Sequence, residues 1–241
     1  MKKAKYWWSL LAGCLGALLV IRGWWTSQAA RAQAESDQVQ VQVVLAKIQA
    51  QGYEFGPAVN KIVLQVSQPV TAVDRDAQLE VTTQGKGRQV SALYLADEQG
   101  QVLPEGQASQ WLALDLVVDS WDLGSLFGYN QERLISQWQA SYLITVGPVQ
   151  VTTQEGKSAQ VHLADYDALP HLELPDLAGY QFEQVHVDGV TNPLTGQEES
   201  QTLHYGAFEP AAAKDQTQAK FPLLIWLHGQ AEGGEDPRIA L

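Results

Sequence analysis

The residues nearest to a chemical signature are His228-Gly229-Gln230-Ala231-Glu232-Gly233-Gly234, set directly after the apolar run Phe221-Pro222-Leu223-Leu224-Ile225-Trp226-Leu227. A continuous apolar run, as opposed to an alternating one, predicts a strand buried on both faces. A glycine-bearing loop at the end of such a strand can turn backbone N–H groups toward a single point. Acyl transfer needs this arrangement, because those donors stabilise the oxyanion that develops when a nucleophile attacks a carbonyl carbon. Taken by itself, His228 also reads as a partly buried histidine hydrogen-bonded to nearby backbone.

The remaining candidates lack the rest of such a site. Acyl transfer wants a nucleophile on a Gly-x-Ser-x-Gly turn, and the sequence contains none. The nearest approach, Gly156-Lys157-Ser158-Ala159-Gln160, lacks its second glycine. The same Gly156-Lys157-Ser158 fails as a phosphate loop, since Val151 stands where that loop requires glycine. Asn192-Pro193-Leu194-Thr195-Gly196 resembles a sorting signal but has turn chemistry and sits between two strand patterns. Asp165, Asp167, Glu173 and Asp176 have no ordered calcium-ligand spacing and read as a solvated linker between prolines. His162, His171, His186 and His204 fall before the His-Gly motif, on strand surfaces or in that linker. The single cysteine, Cys14, excludes a disulfide framework and a thiolate zinc cluster. No metal and no cofactor is expected.

The elements that must position the loop come in two styles. From Val39 to about Gln160 the pattern has period two, with Val39, Val41 and Val43, then Ile62, Leu64 and Val66 on one face. Further runs are 79–83, 92–96, 111–117, 139–146 and 149–153, bounded by Gln84-Gly85-Lys86-Gly87, Glu98-Gln99-Gly100 and Gly147-Pro148. About seven short strands predict an immunoglobulin-like sandwich, with Trp111 and Trp138 in its core. The stretch 120–137 breaks the rhythm. Its Trp121, Leu123, Leu126, Phe127 and Tyr129 read as a loop folded over one end of the sandwich or as an aromatic recognition loop. After the acidic linker, 182–187 and 202–208 flank the Asn192 turn as an antiparallel hairpin.

The N-terminus carries an address. Lys2, Lys3 and Lys5 precede an apolar run from Tyr6 to Ile21, and small residues follow to Ala32-Gln33-Ala34. This is the layout of a secretory signal peptide cleaved after Ala34, with an uncleaved membrane anchor as the alternative. Leu11-Ala12-Gly13-Cys14 also matches a lipoprotein box, in which Cys14 would be lipidated. The expected location is therefore extracellular, or anchored at the cell surface through one of these two devices. Of 241 residues, 15 are Lys or Arg and 27 Asp or Glu, for a net charge of −12. The five bases within residues 1–34 have no accompanying acid, so cleavage leaves a body of charge −17. Such a body repels anionic surfaces, which excludes a nucleic-acid partner.

The segment Leu224-Ile225-Trp226-Leu227-His228-Gly229, with Glu232-Gly233-Gly234 and Asp236, resembles secreted bacterial esterases of the α/β-hydrolase superfamily that carry an N-terminal immunoglobulin-like domain. These are similar to polyhydroxybutyrate-depolymerase-like and prolyl-oligopeptidase-like hydrolases. The resemblance implies a mainly β chain: signal peptide 1–34, immunoglobulin-like domain 35–160, linker 161–179, and the first strands of an incomplete α/β-hydrolase domain over 180–241. It also implies that the backbone N–H of Gln230 is an oxyanion donor, that Gly229 shapes the turn and that His228 positions the loop. Nucleophile, acid and base, in the order Ser, Asp, His, would all lie beyond the loop, so the chain as written is expected to be inactive alone. The intact protein would take a small ester or peptide substrate, and its sandwich could mediate oligomerisation. The competing reading is a noncatalytic secreted module for binding or assembly.

Overall fold

The computed structural model describes residues 40–75, 79–119, 124–192, 195–214, 220–227, 229 and 236–240. Thirteen strands account for most of them. The first six are β1 (Val43–Tyr53), β2 (Gly56–Val73), β3 (Val81–Thr83), β4 (Lys86–Arg88), β5 (Val90–Ala96) and β6 (Ser109–Leu116). They are followed by β7 (Phe127–Asn130), β8 (Ile135–Trp138), β9 (Leu143–Thr153), β10 (Ser158–Asp167), β11 (Leu172–Glu173), β12 (Tyr180–Thr191) and β13 (Glu198–Phe208). The mainly β expectation holds.

Nine of these strands are continuous through β2, which is long enough to serve both layers of a sandwich. Its Lys61–Gln65 stretch pairs with β6, while Val70–Val73 pairs with β9. One layer runs β11-β1-β2-β6-β5 and the other β4-β3-β9-β10. Alternation then dictates the core: Ile48, Ile62, Leu64, Leu112 and Leu114 of the first layer meet Ile144, Val146, Val151 and Val161 of the second. Each of these residues is buried.

The opposite face of the first layer is not bare. Val63, Ala96 and Ala113 form a small second cluster with Tyr94 and Trp111. Lys61 Nζ donates to Tyr94 Oη at 2.9 Å and to the Gly100 carbonyl at 3.0 Å, and Asp115 lies 3.3 Å away. Burial opposes the Lys61 charge, yet the contacts with Tyr94 and Asp115 prevail and hold its pKa above the ordinary value. Lys47 lies 5.0 Å from the Trp111 ring centroid. Trp111 therefore belongs to this outer cluster, and Trp138 packs at the margin of the main core.

The β5–β6 connection caps the outer cluster and depends on Gly100. Its φ of +73° suits glycine, and an added Cβ would stand 2.8 Å from Val63 Cγ2 and 3.1 Å from Lys61 Cδ. Gly100→Ala is expected to lower the unfolding free energy by about 2 kcal/mol in urea titration, from left-handed strain plus crowding. A loss below about 0.5 kcal/mol would show that the loop moves freely.

Three sequence expectations need correction. Within the run 120–137, residues 120–123, with Trp121 and Leu123, lie outside the described residues, and what read as a loop folded over the sandwich is a hairpin of β7 and β8, with Leu126 fully buried and Tyr129 exposed. The acidic stretch 161–179 is not a free linker. β10 continues to Asp167, and β11 adds to β1 in parallel, with Ile48 opposite Leu172. There Glu173 accepts from Lys47 Nζ at 2.9 Å and Gln49 Nε2 at 3.0 Å, while Asp167 caps the N–H groups of Tyr142 and Leu169. Lys47 and Gln49 for Glu173, and backbone N–H groups for Asp167, convert acids that read as solvated into docking contacts. Finally, Phe221–Leu227 is not a strand.

Candidate functional site

The hairpin that precedes the His-Gly motif forms as expected. β12 and β13 pair antiparallel from Tyr180–Phe208 to Thr191–Glu198. At the tip, Asn192 N–H donates to the Gln197 carbonyl and Gly196 N–H to the Asn192 carbonyl, both at 2.8 Å. The hairpin pairs with no other strand among the described residues. The four histidines His162, His171, His186 and His204 are all exposed, on β10, in a 3₁₀ turn, on β12 and on β13.

The apolar run that should end in the oxyanion loop is in the open. Leu224 is 89% exposed, and Leu223, Ile225, Trp226 and Leu227 are exposed by 70% or more. A strand apolar on both faces is stable only between neighbours and under cover, and the described residues supply neither. Gly229 is exposed. His228, Gln230 and residues 231–235 lie outside the described residues, as do Cys14, Ala32 and Ala34.

Past that loop the chain returns to the sandwich. Residues Pro237–Ala240 form a 3₁₀ turn, and Ile239 is 3% exposed. Asp236, which opens the turn, accepts from the Trp138 indole N–H at 2.7 Å. Arg238 Nε reaches both Asp236 oxygens at 2.9 and 3.0 Å, and the Arg238 backbone N–H adds a bond of 3.0 Å. The guanidinium lies 5.5 Å from the Trp138 ring centroid. Partial burial pushes the Asp236 carboxyl upward, but Arg238 and Trp138 prevail and hold it below the ordinary carboxylate value. Gly56 makes room here: an added Cβ would stand 2.7 Å from the Phe127 ring and 3.7 Å from the Ile239 carbonyl oxygen.

Between this turn, the hairpin and the 172–178 stretch lies an open cleft of about 640 Å³, bordered by Leu174, Phe182, Glu183, His204, Asp236 and Arg238. It holds mixed polar and apolar groups. Among the described residues no three His, Cys, Asp or Glu side chains gather as a metal site, and Asp165, Asp167, Glu173 and Asp176 go to separate partners or turns. Among the described residues no helix is long and apolar enough to cross a membrane. Sequence reasoning placed Asp236 in a motif but missed Trp138 and Arg238 as its partners. Asp236-Pro237-Arg238 does carry a local signal for a turn that folds its arginine back on its aspartate.

Residues 46–163 match the family described as the esterase Ig-like N-terminal domain. No curated protein sequence matches the chain. Among solved structures, a thermostable esterase is similar with a TM-score of 0.57 and 16% sequence identity, over 82% of this chain and 50% of the esterase chain. At that identity the likeness is one of fold, and this chain spans half the length of the solved esterase. The sandwich, over residues 46–163, is thus the esterase immunoglobulin-like N-terminal domain.

Proposed function

We propose that this chain is the N-terminal part of a secreted serine esterase, in which the sandwich precedes a hydrolase domain opened by β12, β13 and the His228-Gly229-Gln230 loop. The observation that carries the reading is the joining, in one polypeptide, of the esterase domain over 46–163 to a His-Gly motif at the end of an apolar run. In the intact protein a serine oxygen would attack the ester carbonyl carbon, forming a tetrahedral intermediate. Its oxyanion would be held by the Gln230 backbone N–H and by a second donor beside the nucleophile. Collapse expels the alcohol, and water then releases the acid from the acyl-enzyme. Secretion follows in this reading from the basic start, the apolar run and the Ala32-Gln33-Ala34 site.

Extending the coding sequence past Leu241 tests this directly. The extended chain is expected to contain Gly-x-Ser-x-Gly and to hydrolyse p-nitrophenyl butyrate, whereas residues 1–241 show no turnover. Gln230→Pro removes one donor and is expected to reduce kcat of the extended chain by roughly 100-fold or more. An extended frame without the serine motif, or without hydrolysis, would instead favour a noncatalytic binding or assembly module.

A further inference from the structure

Two of the groups that anchor the 236–240 turn come from widely separated parts of the sequence. Trp138 ends β8, in the hairpin that folds over the sandwich, and its ring packs at the edge of the main core. Asp236 lies 98 residues further on, and the 2.7 Å bond between them is accompanied by Arg238 over the indole ring and by the buried Ile239 of the same turn. This is more than a chance surface pair. A charge-assisted bond, a cation over the same indole and a buried aliphatic side chain act on one short turn.

The contact sits at a particular place in the chain. Seven residue steps separate Gly229 from Asp236. Even fully extended, they span at most about 25 Å. Fixing Asp236 therefore bounds the distance between Gly229 and the anchor, and the fixed point is supplied by the immunoglobulin-like domain. We propose that Trp138 is a positioning residue: by holding Asp236 it ties the chain beyond Gly229 to the sandwich, so that the domain limits how far Gly229 can lie from it. The proposal rests on the esterase reading for the loop's chemistry, but the tether itself is a property of these 241 residues. On the esterase reading it gives the sandwich a specific task, anchoring the segment that follows the oxyanion loop.

Hydrogen exchange read by mass spectrometry on the full chain tests the tether without any need for turnover. Trp138→Phe removes the donor and keeps an aromatic ring; Asp236→Asn keeps the size and removes the charge. In both, exchange of the 236–240 amides is expected to rise about tenfold, as suits one lost charge-assisted bond, with β1, β2 and β9 unchanged. Acid provides a second readout. A carboxylate held below its ordinary value contributes fully above the ordinary range, and the contribution is lost as pH falls through its folded value. Wild-type 236–240 should therefore lose protection on acidification while Asp236→Asn shows no such step. The other charged or titratable groups that border the cleft with this carboxylate among the described residues are its partner Arg238, Glu183 and His204, and His204→Gln should leave the step in place.

Unchanged exchange in both variants, or a rise spread over the whole sandwich, would overturn the proposal. In the extended protein, Trp138→Phe is expected to lower kcat about tenfold with KM little changed, and an equal kcat would also overturn it. If the exchange results hold but the extended protein hydrolyses no ester, the esterase reading falls and the tether stands.

Discussion

Arg88→Ala is expected to cost about 4 kcal/mol of unfolding free energy, measured by urea titration of the full chain. Arg88 ends β4 and is 6% exposed, unusual for a guanidinium that bonds no carboxylate among the described residues. Its Nη1 donates to Thr83 Oγ1 at 3.1 Å, and its Nη2 donates to the carbonyls of Val59 at 2.9 Å and Val117 at 3.2 Å. One side chain thus joins the β3–β4 hairpin to β2 and to the residue just after β6. Burial pushes the guanidinium below its ordinary pKa, and Nε has no hydrogen-bond partner among the described residues, so its desolvation is incompletely repaid.

That balance separates two substitutions. Alanine deletes three charge-assisted bonds, leaves their acceptors short of a partner and opens a void where the aliphatic stem stood. Methionine fills most of the void and also removes the desolvated charge, so Arg88→Met is expected to lose only about half as much. Equal losses in the two variants would place the cost in the hydrogen bonds alone. A loss under about 1 kcal/mol for alanine would mean that solvent replaces the guanidinium without penalty, contrary to its burial.

The turn before Arg88 was legible in the sequence, although Lys86 and Gly87, which read as part of it, belong to β4, and the hairpin of β12 and β13 was legible as a whole. In each case turn residues and alternating strands lie within twenty residues of one another. Gln84 and Gly85 adopt φ of 51° and 73°, the left-handed pair that a two-residue hairpin needs. Leu143 N–H donates to Gln84 Oε1 and Gln84 Nε2 to the Ser141 carbonyl, which braces a residue that is not glycine in that conformation.

Other features were hidden by the same local rules. Gly147-Pro148 reads as a break, yet β9 runs through it. The register of β9 against β10 shifts between Val146 and Val149, so Pro148 occupies a bulge where its missing N–H costs nothing. The two residues of β11 are too few to show a period, and their place is set by Lys47 and Gln49, over 120 residues away. The bond from Trp138 to Asp236 has no local trace either. For the candidate site, the motif was legible and its anchor was not.

Charging the 221–227 run is expected to change the assembly state of the chain and leave its fold alone. Burying a side chain such as Leu, Ile or Trp fully is worth about 1.5–3 kcal/mol. Leu223, Leu224, Ile225, Trp226 and Leu227 together therefore offer roughly 10 kcal/mol to any surface that covers them. Association costs about 4–15 kcal/mol in lost freedom, so the two are of similar size and assembly should depend steeply on concentration. A second copy brings the same uncovered run, without strand partners among the described residues, and two such apolar runs can cover each other. Sedimentation of the 241-residue chain at increasing concentration should show species larger than a monomer. Leu224→Asp with Leu227→Asp places two like charges in that contact and should return the chain to a monomer. Because both side chains are exposed, the unfolding free energy of the sandwich in urea should stay within about 0.5 kcal/mol of wild type. Assembly that persists in the double variant would assign self-association to another surface, with the open faces of β12 and β13 next in line. A lowered midpoint would show that the run is packed against the sandwich after all.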